Sequence, residues 1–311
     1  MENKVRGLHH LTAIAGNAKR NLQFYTKILG LRLVKRTVNF DDPYTYHLYY
    51  GDETGSPGSI LTFFPWDGVR QGVRGVGMAT ELGFSVPEGS MDFWLDRFKK
   101  NRITYNNPAT KFGETYLTFL DPDGLKMEMT VADKPDGRKA WKVDDIPEEM
   151  AVRGFHQVTI SLTESERTAR VLNEALGYEF EAQETNRMRF RTSSVEHGAI
   201  IDLVEVPGER TGLVAGGTLH HVAFCVDHRD DSVELREKLL DMGLSPTPLI
   251  DRNYFESVYF REPGGTLFEI ATRKPGFLVD ESKEELGTAL KLPKQYEKRR
   301  EELEDALPEL D

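Results

Sequence analysis

The sequence carries a single cysteine, Cys225, so no disulfide can form within the chain, and a reducing, cytoplasmic setting fits. It has no apolar run near the roughly 20 residues that span a bilayer. Its opening, MENKVRG, lacks the apolar core of an export signal. Positive charge is in deficit, with 40 Lys and Arg against 51 Asp and Glu and a net charge of -11. That balance disfavours nucleic acid or an anionic membrane as partner and favours a small molecule. The glycine-rich stretch Gly68–Gly77 lacks the Gly-Lys-Ser/Thr ending of a phosphate loop, and no helix follows at once. It reads as a loop between units.

What remains is an ordinary globular composition, 39% hydrophobic and 29% charged, over 311 residues. That length supports one large or two medium domains with sizeable cores. Histidines are few, eight in all, yet four of them form two doublets, His9-His10 and His220-His221. Each doublet follows a glycine and opens an apolar run that reads as a buried strand. Strand alternation predicts that one histidine of each doublet faces inward while the other sits one pleat away.

The doublets mark a repeat. Four units start near Gly7, Gly77, Gly154 and Gly217. Each reads as strand, helix and three short strands. Asn17 caps the first helix and Gly30 stops it. Ser90 caps the second, Thr163–Glu166 has capping-box spacing for the third, and Gly243 stops the fourth. The step from the second-histidine position to the helix stop runs 10 to 30, 81 to 101, 157 to 177 and 221 to 243, nearly constant. The expected organisation is an N-terminal domain at 5–132 (modules 7–66 and 77–132), a linker at 133–152, a C-terminal domain at 153–279 (modules 154–207 and 217–273) and a charged helix or tail at 280–311. The fold class is α+β: the connections are too short for doubly wound dinucleotide-binding units.

Four βαβββ modules with histidines on first strands and a glutamate on a last strand resemble the vicinal oxygen chelate superfamily, whose modules form two open cups. LHHLTAI (Leu8–Ile14), LGLRLVKRTVNFDD (Leu29–Asp42), YHLYYGDE (Tyr46–Glu53) and GGTLFEIAT (Gly264–Thr272) resemble the hydroquinone ring-cleaving dioxygenases of that superfamily. The histidine and closing glutamate are shared across the superfamily. The doublets, Arg252 and Tyr259 are more particular. The resemblance implies an extradiol-type enzyme of aromatic catabolism and detoxification. Its cofactor would be Fe2+, which another divalent metal could replace in a purified sample, and its partners a small aromatic substrate and O2. A homo-oligomer is compatible with the sequence.

Superimposing the units places His10, Glu81, Gln157 and His221 at the first-strand position, and Thr62, Glu128, Asp202 and Glu269 at the last-strand position. Pairing the first unit with the fourth collects His10, Thr62, His221 and Glu269. Two imidazoles and one carboxylate suit Fe(II), with Thr62 leaving room for exogenous ligands. The remaining pair holds no histidine, and no iron is expected there. Sequential pairing is the competitor: Gln157, Asp202, His221 and Glu269 look like a glyoxalase-type site. A one-residue slip would exchange His10 for His9. By this reading His10, His221 and Glu269 bind the metal. His9 and His220 orient those ligands or exchange protons with substrate. Arg252, Tyr259 and Thr12 match residues near the ring pocket of the resembled enzymes. His47, His156, His197 and His228 read as structural. Two other functions stay open, a non-redox isomerase or lyase using Zn²⁺, Ni²⁺ or Mn²⁺, and a metal-free aromatic-binding protein.

Overall fold

The structure is a computed structural model that describes residues 3–310. Module I contains β1 (Val5–Ala15), α1 (Ala18–Gln23), β2 (Arg32–Val38), β3 (Tyr46–Gly51) and β4 (Ile60–Pro65). Module II contains β5 (Met78–Val86), α2 (Met91–Lys100), β6 (Ala109–Lys111), β7 (Glu114–Leu120) and β8 (Lys126–Val131). Module III contains β9 (Gly154–Leu162), α3 (Glu166–Arg170), β10 (Glu179–Glu184), β11 (Arg187–Arg191) and β12 (Ile200–Glu205). Module IV contains β13 (Thr218–Val226), α4 (Arg229–Asp241), β14 (Ile250–Asp251), β15 (Glu256–Arg261) and β16 (Leu267–Thr272). The α+β class and the βαβββ repeat are as the sequence indicates.

Local chemistry explains some boundaries and not others. Asn17 accepts a hydrogen bond from the Arg20 backbone N–H at 2.9 Å and starts α1. The capping box expected at Thr163–Glu166 does not form. Ser165 takes the N-cap position, and its hydroxyl donates to Glu205 on the neighbouring strand at 2.6 Å instead. Gly217 shows why each module opens on glycine: its φ is +75°, and a Cβ there would sit 1.9 Å from the Asp123 carbonyl oxygen.

Two eight-stranded sheets result. One runs β14-β15-β16-β13-β1-β4-β3-β2, the other β10-β11-β12-β9-β5-β8-β7-β6. The antiparallel seam β1–β13 joins module I to module IV, and β5–β9 joins II to III. Each sheet therefore draws one module from each half of the chain, and the two doublet strands lie side by side.

After module IV the chain returns to module I. Lys291 N–H bonds the Arg36 carbonyl at 2.9 Å along β2, the edge strand of its sheet. Buried Lys35 ion-pairs with Asp280 and Glu281. Leu286, Leu292, Leu303, Leu307 and Leu310 are buried, so this segment, with α5 (Arg300–Ala306), is packed rather than only a solvated face. Among the described residues no helix is long and apolar enough to cross a membrane.

Candidate metal centre and cavity

Both histidine doublets sit on β-bulges. Along the β1–β13 seam Leu8 opposes Phe224 and His10 opposes Ala223, so His9 is an extra residue on β1. Further along, Thr12 opposes His221 and Ala13 opposes Leu219, so His220 is the extra residue on β13. A bulge breaks the two-residue alternation. The expectation that only one histidine of each doublet faces inward, with the other one pleat away, is corrected accordingly, since the neighbours touch through their ring nitrogens. His9 Nδ1 lies 2.9 Å from His10 Nδ1, and His220 Nδ1 lies 2.8 Å from His221 Nδ1.

The seam brings three donor atoms together. His10 Nε2 and His221 Nε2 are 3.1 Å apart, and Glu269 Oε2 lies 3.2 Å from the first and 3.0 Å from the second. These are the residues whose donor atoms cluster as a candidate metal site among the described residues. Glu269 is fully buried. Its Oε1 accepts from Ser257 Oγ at 2.5 Å, and its Oε2 has no well-formed hydrogen bond. An orphaned buried carboxylate oxygen facing two imidazole nitrogens fits a cation. Metal bonds of about 2.1 Å at right angles separate neighbouring donors by roughly 3 Å, the spacing seen here. The doublets supply the matching tautomer: if each ligand's Nδ1–H donates to its neighbour's Nδ1, each Nε2 keeps a lone pair for the metal.

Electrostatics agree. Burial works to raise the Glu269 carboxyl, but the two imidazoles outweigh it and hold the group well below the usual range. Burial, then the adjacent ligand histidine, lowers His9 and His220 to about 3, so both rings are neutral at pH 7. Burial also lowers His221, against the pull of Glu269.

A cavity of about 280 Å³ opens over His10 and His221. Phe40, Phe64, Trp66, Phe255 and Leu267 form apolar walls, and Asn39, Asp41, His220, Arg252 and Tyr259 add polar groups. Arg252 Nε donates to the Tyr259 hydroxyl at 3.3 Å, and its guanidinium lies over Phe40 and Tyr259 and 3.6 Å from Asp41. Burial and Glu269 raise the Tyr259 phenol, which stays protonated.

The remaining predicted residues fall differently. His9 is buried behind His10 against Phe255 and does not line the cavity. Thr12 is likewise absent from the lining: its hydroxyl meets Thr62 Oγ1 at 2.8 Å in the sheet interior. His47, read from sequence as structural, lines the cavity together with Tyr49. The repeat carried a signal for Tyr49. Tyr49 opposes Thr62 as Tyr259 opposes Glu269, which makes Tyr49 the module I counterpart of Tyr259.

In the other cup the acids at the corresponding positions, Glu81, Glu128 and Asp202, are paired with cations of the chain itself. Lys111 and Gln157 bond Glu128, Arg189 bonds Asp202 and Glu114, and Lys126 bonds Glu81.

A family model described as "Glyoxalase/Bleomycin resistance protein/Dioxygenase superfamily" matches residues 7–129 and 154–270. The chain is 42% identical over 307 residues to a Bacillus subtilis (strain 168) protein named "Putative ring-cleaving dioxygenase MhqO", covering 99% of this chain and 97% of that one. It is 35% identical over 311 residues to a Sphingobium indicum protein named "Chlorohydroquinone/hydroquinone 1,2-dioxygenase", covering 96% and 95%. A crystal structure of a Bacillus subtilis protein described as a "putative dioxygenase" superposes with a TM-score of 0.95 at 41% identity, covering 100% of this chain and 99% of that one.

Proposed function

The chain belongs to the Glyoxalase/Bleomycin resistance protein/Dioxygenase superfamily, and from that premise we propose that it opens para-dihydroxylated aromatic rings with O2 at a ferrous centre. The observation that carries the reading is the convergence of His10, His221 and Glu269 beneath a small aromatic-walled cavity. These three residues would hold the metal, and iron when bound supplies the one-electron and O2 chemistry that side chains lack.

The chain's own residues bind, orient and manage protons. The cavity is at the small end of ligand pockets and accommodates a single substituted ring. Phe40, Phe64, Trp66 and Phe255 grip its faces and exclude water. A para-diol has only one hydroxyl near the metal, so protein groups must meet the other. Arg252 offers positive charge to an anionic oxygen. Tyr259 accepts from Arg252 and so keeps its own O–H free to donate to substrate. If His221 donates to His220 Nδ1, the His220 proton resides on Nε2. His220 lines the cavity, where that N–H can donate a hydrogen bond to a substrate oxygen. His9, out of the cavity, holds His10 in the ligating tautomer.

The test is oxygen uptake. Anaerobic protein loaded with Fe²⁺ is mixed with 2-methylhydroquinone or 2-chlorohydroquinone in an oxygen electrode, with a catechol in parallel. The expected result is stoichiometric O2 loss with a ring-opened absorbance, absent in His221→Ala. Uptake with the catechol alone changes the substrate. No uptake with any dihydroxybenzene overturns the reading and leaves a non-redox isomerase to be assayed with Zn²⁺, Ni²⁺ and Mn²⁺.

A further inference from the structure

Strand register makes the two halves of the metal-site cup directly comparable. On β16, Glu269 pairs with Ala223 of β13 and with Tyr259 of β15. On β4, Thr62 pairs with Thr12 of β1 and with Tyr49 of β3. Thr62 therefore stands in module I where the carboxylate stands in module IV. His47, two residues before Tyr49, stands where Ser257 stands before Tyr259.

The hydrogen bonds follow the same symmetry with different chemistry. Ser257 Oγ donates to the Glu269 carboxylate at 2.5 Å and leaves Oε2 aimed at the two imidazoles. His47 Nε2 lies 2.8 Å from Thr62 Oγ1, and Thr12 Oγ1 lies 2.8 Å from the same atom. The other ring nitrogen of His47 meets the Tyr49 hydroxyl at 2.9 Å. Both nitrogens of His47 are held, and the Thr62 hydroxyl is engaged twice. A neutral hydroxyl so engaged is a poor metal donor. The imidazole, bulkier than a serine hydroxymethyl, also fills the space beside position 62 and lines the cavity.

We propose that His47 and Thr62 act as a specificity-determining pair that fixes the protein donor count at three. They keep the module I side of the site for substrate instead of a fourth protein ligand. This rests on His10, His221 and Glu269 being a metal site. Copying module IV into module I then requires two changes together, H47S and T62E. T62E alone leaves its new carboxylate facing the His47 ring, which captures it.

The test uses the full chain, stripped of metal and titrated with Co²⁺ against a chelator, with visible absorption as a report of coordination. Oxygen uptake with 2-methylhydroquinone is recorded on the Fe²⁺ forms. The H47S/T62E protein is expected to bind Co²⁺ at least about tenfold more tightly, with a changed visible spectrum, and to lose at least about tenfold in oxygen uptake. T62E alone is expected to gain no affinity and to keep the wild-type spectrum. An equal gain from T62E alone would overturn the role of His47. Wild-type affinity and spectrum in a folded double variant would overturn the role of position 62. If the double variant shows no melting transition, T12A/H47S/T62E, whose alanine copies Ala223, is judged by the same readouts. Failure of wild-type protein to bind Co²⁺ would instead overturn the metal reading itself, and the pair's role with it.

Discussion

His9 and His220 look alike in sequence and differ in position. His9 touches His10 and lies outside the cavity, whereas His220 touches His221 and lines it. His9→Ala removes the acceptor for the His10 Nδ1 proton. It is expected to weaken Fe²⁺ binding by about 10–100-fold while leaving KM for a hydroquinone, measured at saturating metal, within about twofold. Chelator competition and steady-state kinetics check the two halves. His220→Ala is expected to lower kcat as well, because it removes a donor that faces substrate. The doublets and Glu269 were legible because they recur at repeat positions. The bulges were not legible, since strand alternation predicts opposite faces for neighbouring histidines. His47 was passed over because a lone histidine on a strand carries no pattern. Its meaning emerges only when Tyr49 is registered against Tyr259.

At the scale of elements, the connection between β2 and β3 supplies Asn39, Phe40 and Asp41 to the cavity. The C-terminal segment holds it: the Tyr296 hydroxyl donates to the Phe40 carbonyl at 2.7 Å, and Glu302 and Arg299 both bond Tyr44. Tyr296→Phe removes one hydrogen bond, worth about 1 kcal/mol, from the support of a loop that carries cavity groups. KM for a hydroquinone is expected to rise several-fold with Fe²⁺ stoichiometry unchanged, as kinetics and metal analysis would show. Its charges made this segment read as a charged helix or tail. The apolar residues were the better guide, since Leu303 and Leu307 recur four apart and are both buried. Helix stops such as Gly30 were legible because a positive φ, here +70°, favours glycine. The Thr163–Glu166 cap was not used: the helix starts at Ser165 instead, whose N–H and hydroxyl both bond Glu205, a partner distant in sequence.

At the scale of the molecule, one repeat builds two cups that differ in what neutralises their acidic positions. In one, Glu269 faces two imidazoles. In the other, buried arginine and lysine side chains occupy the interior. Burial works to raise Glu114 there, but His156 and Arg189 outweigh it and bring the carboxyl to about 2, below its ordinary 4.5. A depressed carboxylate contributes stability that is present above pH 4.5 and lost as pH falls toward 2. Glu114→Gln is therefore expected to cost roughly 3 kcal/mol at neutral pH. The gap from wild type should narrow as the pH of denaturant titrations is lowered through that window. A constant gap would contradict this account. The pairing of the first module with the fourth was legible from side-chain chemistry and the family resemblance together: it gathers both doublets and agrees with the ring-cleaving dioxygenases, whereas connectivity alone allowed three pairings.

The most direct test of the central claim is the fate of the oxygen atoms. Iron-loaded protein is given 2-methylhydroquinone under ¹⁸O2, and the product is read by mass spectrometry before exchange with water. Ring cleavage by this site predicts a ring-opened acid carrying two labelled oxygen atoms. A quinone without label, or a hydroxylated ring with one labelled atom, would contradict it.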